Sequence, residues 1–153
     1  MTFFQELFDN QVLMSAVAGW TVAQVLKTII DVALNHSFNA ERLFGSGGMP
    51  SSHSATVCAL ATSAGMHYGV GSFEFAVTFI LAMVVMYDAI GVRQETGKQA
   101  KVLNSLLFEN LLKLDSVLLQ EKLKEYVGHT PIQVVAGAIL GVLLAVFMAP
   151  VFA

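Results

Sequence analysis

The chain has 153 residues and a formal net charge of -3, and hydrophobic side chains fill 56% of its positions while charged ones fill only 12%. That charged fraction is about half of what a soluble domain carries, and it is too small to cover a water-soluble globule. The composition therefore predicts one integral membrane domain over residues 1–153. The absence of a basic block excludes nucleic acid as an expected partner, and a lone cysteine, Cys58, excludes an intrachain disulfide.

Four apolar blocks follow one another along the chain. A membrane-spanning helix needs about 20 mostly apolar residues. We expect the spans near residues 12–34, 52–70, 73–92 and 131–152. The predicted fold is an all-α integral membrane helix bundle of about four transmembrane helices.

Residues 94–128, between the third and fourth blocks, have a different pattern. Leucines recur there at helical spacing, with charged residues between them. These leucines are Leu103, Leu107, Leu111, Leu114 and Leu118. The pattern predicts an amphipathic helical segment that lies on the membrane surface or caps the bundle; a contact with a partner helix is the alternative.

The cations gather on one side of the predicted bundle. With four spans, the loop that contains Arg42 and the segment 93–129 share a face with Lys27 at the membrane edge. The positive-inside rule makes that face cytoplasmic and places both termini outside. We expect the membrane to be the plasma membrane of a bacterium or a derived organelle membrane.

A glycine-rich loop, Gly45 to Ser54, leads into the second span. Glycines allow a close approach of backbone to ligand, Pro50 suits a first helical turn, and serine hydroxyls with free amides at a helix N-terminus suit an anion. An ordinary turn with serine caps is the alternative. His53 favours a functional site, because an ionisable side chain beside a membrane span is costly.

A second histidine, His129, precedes the last span. The residues that follow it, Thr130 to Gln133, have the pattern of a capping box with proline at the first helical position. The predicted topology puts His129 on the same face as His53. A solvated interfacial histidine is the alternative.

Three cations are candidates for binding an anion near these histidines. Lys27 ends the first span, Arg42 follows in the next loop and Arg93 ends the third span. Lysine offers a point charge and arginine a bidentate donor to phosphoryl oxygens. Salt bridges of Lys27 with Asp31 and of Arg93 with Asp88 are the alternative.

Three segments together resemble a known family. They are GGMPSSHSA at 47–55, YDAIGVRQETGKQAKVLN at 87–104 and GHTPIQVVAG at 128–137. They are similar to a divergent branch of small membrane proteins related to the type 2 phosphatidic acid phosphatase and haloperoxidase superfamily, whose second signature resembles Pro50-Ser51-Ser52-His53. The resemblance covers about residues 10–145.

The resemblance implies hydrolysis of a phosphomonoester or a diphosphate through a phosphohistidine, without a metal or other cofactor. His129 corresponds to the nucleophile and His53 to the general acid. The residues implied in phosphate binding are Lys27, Arg42, Ser51, Ser52 and Arg93. The residues that could orient the nucleophile are Gln133 and Asp88.

The chain departs from the superfamily signatures at several positions. Leu43 stands where a proline should follow Arg42, and Leu123 stands where an arginine is expected six residues before His129. Gln133 replaces the acid that orients the nucleophile. An amide can hydrogen-bond an imidazole but does not stabilise imidazolium as a carboxylate does.

Two classes of function therefore remain open. The first is a membrane phosphatase acting on a lipid phosphate or pyrophosphate at the cytoplasmic face. The second is a non-catalytic protein that binds or translocates a phosphorylated or anionic ligand. The expected partners are membrane lipid and a phosphate ligand. A second copy of the chain is also possible, since Gly137, Gly141 and Ala145 form a small-residue face suited to helix contact.

Overall fold

The computed structural model describes residues 2–36, 48–108 and 129–152, apart from the side chains of Arg93, Gln94, Leu107 and Phe108. Six α-helices occur in these ranges, and a short 3-10 helix, Ala149–Val151, follows the last. The helices are α1 (Phe3–Asp9), α2 (Gln11–Asn35), α3 (Ser52–Tyr68), α4 (Phe73–Ile90), α5 (Val92–Phe108) and α6 (Pro131–Met148). The described part of the chain has no strand, so the predicted all-α class is confirmed.

Side-chain caps set where the helices begin. The Asn10 side chain accepts from the Leu13 amide at 3.0 Å, and Ser72 accepts from the Phe75 amide at 3.1 Å. Each cap satisfies an amide that has no carbonyl partner inside its own helix. The capping box predicted at the start of α6 is also confirmed, with Pro131 as its first helical residue.

The prediction for Pro50 is wrong. Pro50 does not lie in the first turn of α3; it precedes the N-cap, Ser51, and its peptide bond with Met49 is cis. The helix begins at Ser52 because the Ser51 hydroxyl caps the amide of Ser54 at 3.4 Å. The proline therefore belongs to the loop.

Within the described ranges, three stretches are long and apolar enough to cross a membrane. They are Gln11–Asn35, Phe73–Leu106 and Pro131–Val151. The second predicted span corresponds to α3, which has 17 residues and a length of about 25 Å. This helix is shorter than the others, and it packs among them.

Helix α3 lies at the centre of the bundle, in contact with α2, α4 and α6. Its buried residues are small ones and a single valine. On the α2 side, a Cβ added at Gly19 would lie 2.8 Å from the Ala55 carbonyl oxygen and 3.1 Å from the Ala59 Cβ. Small side chains on both helices thus allow their backbones to come into contact.

The small-residue face of α6 packs inside the chain. A Cβ at Gly137 would collide with the Ser51 carbonyl oxygen, and one at Gly141 with that of Ala55. Ala145, one turn further on, is fully buried. The expectation that this face serves contact between two copies is therefore wrong. The spacing identifies a face for close helix contact, but it does not say which helix is the partner.

Four helix ends meet at one end of the bundle. The amide of Ser51, before α3, donates to the Gln133 carbonyl in α6 at 3.0 Å. The His129 amide, before α6, donates to the Ala89 carbonyl near the end of α4 at 3.0 Å. Lys27, in the last third of α2, lies against Gly48. We call this end, where α3 and α6 begin, the histidine end; α1 lies at the opposite end.

Helix α5 covers the first half of the predicted amphipathic segment, whose residues 109–128 lie outside the described ranges. Only Gly91 separates it from α4. Ala100 and Asn104 are buried, whereas Leu103 is 46% exposed. An exposed leucine on this helix suits a position at the membrane surface, which stays a prediction.

Candidate functional site

The two predicted catalytic histidines lie together at the histidine end. The ring centroids of His53 and His129 are 5.9 Å apart, and the ring planes meet at 62°. His129 is 3% exposed, and His53 is half-buried. Although 76 residues apart in the chain, the two imidazoles can therefore act on one small group bound beside both.

The backbone and the ring of His129 are both held by hydrogen bonds. Its amide donates to the Ala89 carbonyl at 3.0 Å, which ties it to the end of α4. Its Nδ1 lies 3.2 Å from Oε1 of Gln133, one helical turn further along. The imidazole is thus positioned by two helices.

The hydrogen bonds of Gln133 determine which nitrogen of His129 carries the proton. Its Oε1 accepts from the backbone amide of Thr130 at 3.1 Å. Since a backbone amide can only donate, the same oxygen must also accept from His129, whose Nδ1 then carries the hydrogen. In the neutral imidazole, Nε2 then carries the lone pair. A neutral imidazole with its lone pair on Nε2 is the form that a nucleophile needs.

The sequence gives Gln133 two expected roles, in the capping box of α6 and in orienting His129. The structure shows both on one side chain, because a carbonyl oxygen has two lone pairs. The backbone carbonyl of Gln133 additionally accepts from the Ser51 amide. Gln133 therefore connects His129 to the loop that carries His53.

The glycine-rich loop approaches the bundle at Gly48. Its φ of +85° is a conformation that side chains other than glycine rarely adopt. A Cβ there would also lie 3.0 Å from Cγ and 3.1 Å from Cδ of Lys27. The stem of Lys27 thus packs on the loop backbone, and this lysine is only 3% exposed. A cation so deeply placed in an apolar bundle marks a functional candidate.

The two predicted phosphate-binding serines differ in what they can offer. The Ser51 amide is bonded to Gln133, and its hydroxyl caps α3 and accepts from the Ser54 hydroxyl at 3.1 Å. Ser51 is therefore mainly structural, and its amide is not a donor to a ligand. The amides of Ser52 and His53 begin the first turn of α3, where no carbonyl of the same helix can reach them.

Helix dipoles add positive potential at the same place. His53 is the second residue of α3, and His129 immediately precedes the N-cap of α6. The N-terminal end of a helix carries about half a positive charge. Two such ends beside a buried lysine favour an anion, and phosphate is the common anion that helix N-termini bind.

The other predicted site residues lie near the end of α4, at the start of α5 or outside the described residues. Asp88 adjoins Ala89, whose carbonyl holds His129, and it is half-buried. Arg93 lies in the first turn of α5, and its side chain is outside the described part. Arg42 and Leu123 also lie outside the described residues. The roles proposed for these residues stay predictions.

Two residues that contribute to the site, Ala89 and Gly137, are not predicted from the sequence. Ala89 acts through its carbonyl, which no side-chain pattern reveals. Gly137 lets α6 touch Ser51; its small-residue spacing was a usable signal, although it was assigned to another interface. No group of three metal-ligating side chains comes together in residues 2–36, 48–108 and 129–152.

Comparison with known proteins identifies the family. Residues 8–144 match the model of the Divergent PAP2 family, in which PAP2 denotes type 2 phosphatidic acid phosphatase. The chain is also 38% identical to the uncharacterized membrane protein YuiD of Bacillus subtilis (strain 168), over 96% of this chain and 99% of that protein. No solved structure matches significantly. The protein is thus a membrane protein, and it belongs to the Divergent PAP2 family.

Proposed function

We propose that the protein is a metal-independent membrane phosphatase that hydrolyses a lipid phosphate or pyrophosphate through a phosphohistidine on His129. The observation that carries the proposal is the pairing of His53 with a His129 whose Nδ1 is bonded to Gln133. One imidazole presents a lone pair on Nε2, and a second lies beside it to handle a proton. Neither role requires a metal or another cofactor.

The reaction has two steps. First, Nε2 of His129 attacks phosphorus while the bond to the leaving oxygen breaks, and protonated His53 gives its proton to that oxygen. Then water attacks the phosphohistidine, the bond from phosphorus to nitrogen breaks, and His53 takes up the proton of the water. Phosphate leaves, and both histidines return to their starting forms.

Charge stabilisation would come from groups that are already in place. Lys27 lies against the loop backbone, and the amides of Ser52 and His53 start α3. Fixed donors of this kind stabilise the spread charge of a phosphoryl transition state. Because His129 is 3% exposed and His53 is half-buried, we expect the phosphate to enter from the side of His53.

A non-catalytic anion-binding protein is the second candidate, and the uncharged side chain of Gln133 favours it. An amide holds the neutral imidazole but gives little stabilisation to the imidazolium. Translocation through the bundle has less support. Gly19 of α2 and Gly141 of α6 both contact the backbone of α3 near Ala55. Among the described residues, these contacts close the space between α3 and its neighbours α2 and α6 at that level.

We place the site at the cytoplasmic face of a bacterial plasma membrane or a derived organelle membrane. The support is the positive-inside rule applied to the cations of the sequence. Membrane-impermeant labelling of a cysteine placed at residue 2 or 153, in a Cys58→Ser background, tests this orientation. Labelling from outside the cell supports it, and labelling only from the cytoplasm overturns it.

Phosphate release by the purified full chain in detergent tests the activity. The substrates are phosphatidic acid, a polyprenyl diphosphate, a water-soluble phosphomonoester and inorganic pyrophosphate, each with and without EDTA. We expect release from a lipid substrate that EDTA does not reduce. His53→Ala and His129→Ala should each lower it by at least about 1000-fold, as expected for removal of a catalytic group.

His67→Ala is the matched control, because His67 lies at the last turn of α3 and is exposed. Its activity should equal that of the unchanged protein. Activity that survives both His53→Ala and His129→Ala would rule out the mechanism. Binding of phosphate or lipid phosphate with no turnover on any substrate would instead favour the binding protein.

A further inference from the structure

We propose that α1 is an interfacial anchor, with its apolar face in the boundary between headgroups and acyl chains of the bilayer at the end opposite to the histidine end. The proposed partner is the lipid itself. Four large apolar side chains of this helix are exposed in the structure. They are Phe3 at 72%, Phe4 at 67%, Leu7 at 37% and Phe8 at 60%.

Apolar and acidic residues are fully separated around this helix. At 3.6 residues per turn, the four apolar side chains occupy an arc of about 140°. The polar residues Gln5, Glu6 and Asp9 occupy the opposite side. A capping box between Thr2 and Gln5 closes the first turn, with hydrogen bonds of 2.9 and 3.4 Å. The two faces are thus fixed by a folded helix.

The polar face of α1 is the one turned to the rest of the protein. Glu6 and Asp9 line an open cavity of about 320 Å³ together with His67 and Tyr68 at the end of α3. The apolar face therefore points away from the bundle. Packing within the described chain does not account for it.

The connection between α1 and α2 indicates what the apolar face of α1 contacts. Only Asn10 separates α1 from α2, a helix of 25 residues that is long and apolar enough to span a membrane. Residues directly before such a helix lie at the membrane surface. The apolar medium adjacent to Phe3, Phe4 and Phe8 is then the bilayer, as for other amphipathic interfacial helices.

The charge of α1 differs from that of the more common interfacial helices, which are basic. Helix α1 carries Glu6 and Asp9 and has no lysine or arginine. Electrostatic attraction to anionic lipid, the usual second contribution, is therefore absent. Its insertion should depend on apolar contact alone, so anionic lipid should not strengthen it and salt should not weaken it.

Tryptophan fluorescence of the full chain in phosphatidylcholine vesicles tests the proposal. Trp20→Phe removes the only tryptophan, and Phe4→Trp then reports from the apolar face. Glu6→Trp in the same background is the matched control from the polar face. Quenching is measured with lipids brominated at shallow or deep acyl positions and with aqueous iodide, at two protein-to-lipid ratios.

We expect lipids brominated at shallow acyl positions to quench the tryptophan at position 4 at least 3-fold more than iodide does. The tryptophan at position 6 should be quenched more by iodide than by these lipids. Adding phosphatidylglycerol should not increase the quenching by bromines at position 4, and 0.5 M salt, about a 4 Å screening length, should not decrease it. Three results would each overturn the proposal. The first is equal quenching by iodide at both positions, and the second is strongest quenching at position 4 by the deep bromines. The third is protection of position 4 from iodide that disappears when the protein is diluted into excess lipid, which contact with a second copy would give.

Discussion

Helices α3 and α4 are neighbours of similar length but opposite character. Helix α4 consists mostly of large apolar residues, yet only Ala82 and Ala89 are buried in it. Helix α3 contains serines, alanines and a glycine, and eight of its 17 residues are buried. Lipid is as apolar as a leucine side chain, so large apolar residues gain nothing by leaving it, whereas small residues gain close contact between helices.

This difference also locates the site. His53 lies at the start of α3, where contact with Gly137 brings α6, and with it Gln133 and His129, against the loop. Close packing of small residues thus assembles the histidine pair. Among α2, α3, α4 and α6, the helix with the fewest large apolar side chains is the one on which the candidate site depends most.

The largest expected effect is on the packing of α3. Ala55→Leu places a branched side chain where Gly19 and Gly141 contact the backbone. We expect a loss of at least about 3 kcal/mol of stability, the upper range for overpacking, measured by denaturant unfolding in detergent. Val84→Leu in α4, at a position 61% exposed, is the control and should change stability by under about 0.5 kcal/mol. Equal effects of the two would mean that α3 is packed no more tightly than α4.

The second expected effect is on activity, and it concerns the contact between α6 and the loop that precedes α3. Gln133→Ala removes the acceptor that holds His129, and we expect kcat to fall about 100-fold. Gln133→Glu keeps an acceptor for both Thr130 and His129 and adds a charge that stabilises imidazolium. Its kcat should equal or exceed that of the unchanged protein. A Gln133→Ala enzyme of full activity would mean that the hydrogen bond only caps the helix.

Gly137→Ala tests the close contact between α6 and the loop before α3. Its Cβ meets the Ser51 carbonyl, a backbone group that cannot swing aside. We expect a loss of about 2 kcal/mol in unfolding free energy, within the range for overpacking, and a parallel fall in activity. Ile139→Ala, on the exposed face of the same helix, is the control for a change of side-chain size. If Gly137→Ala proved neutral, α6 would not be packed against the loop as described.

The smallest effect concerns the lipid-facing surface of α4. Ile80→Ala removes a large side chain that is 59% exposed. Since lipid replaces the lost contacts, we expect under about 1 kcal/mol of change, well below the 2–5 kcal/mol of a buried isoleucine in a core. Thermal unfolding in lipid nanodiscs measures it. A loss as large as that of a core residue would show that α4 packs against another protein surface.

Much of the fold followed from local patterns. Apolar blocks predicted α2, α4 and α6 to within a few residues, because a span requires apolar length. The capping box of Thr130 and Gln133 fixed the start of α6, since its four residues are adjacent in sequence. The count of four spans placed the loop before His53 and the residue His129 on one face, and the structure brings the two rings to a centroid distance of 5.9 Å. These signals are either local or set by the membrane.

Long-range contacts could not be predicted in the same way. The face of Gly137 and Gly141 was visible, but its partner α3 was not, because spacing on one helix contains no information about another. The Ser51 amide was expected to bind phosphate. It instead donates a hydrogen bond to the backbone carbonyl of Gln133, more than 80 residues away in the chain. Which amides remain for a ligand depends on tertiary contacts.

The proposed mechanism requires His129 to accept a phosphoryl group from the substrate. Rapid acid-free denaturation of the full chain during turnover of a ³²P-labelled lipid phosphate, followed by peptide mapping, tests it most directly. We predict a label on His129 that is stable to alkali and lost in acid, absent from His129→Ala and unchanged in His67→Ala. Steady release of phosphate by His129→Ala, or a label on any other residue, would contradict the account.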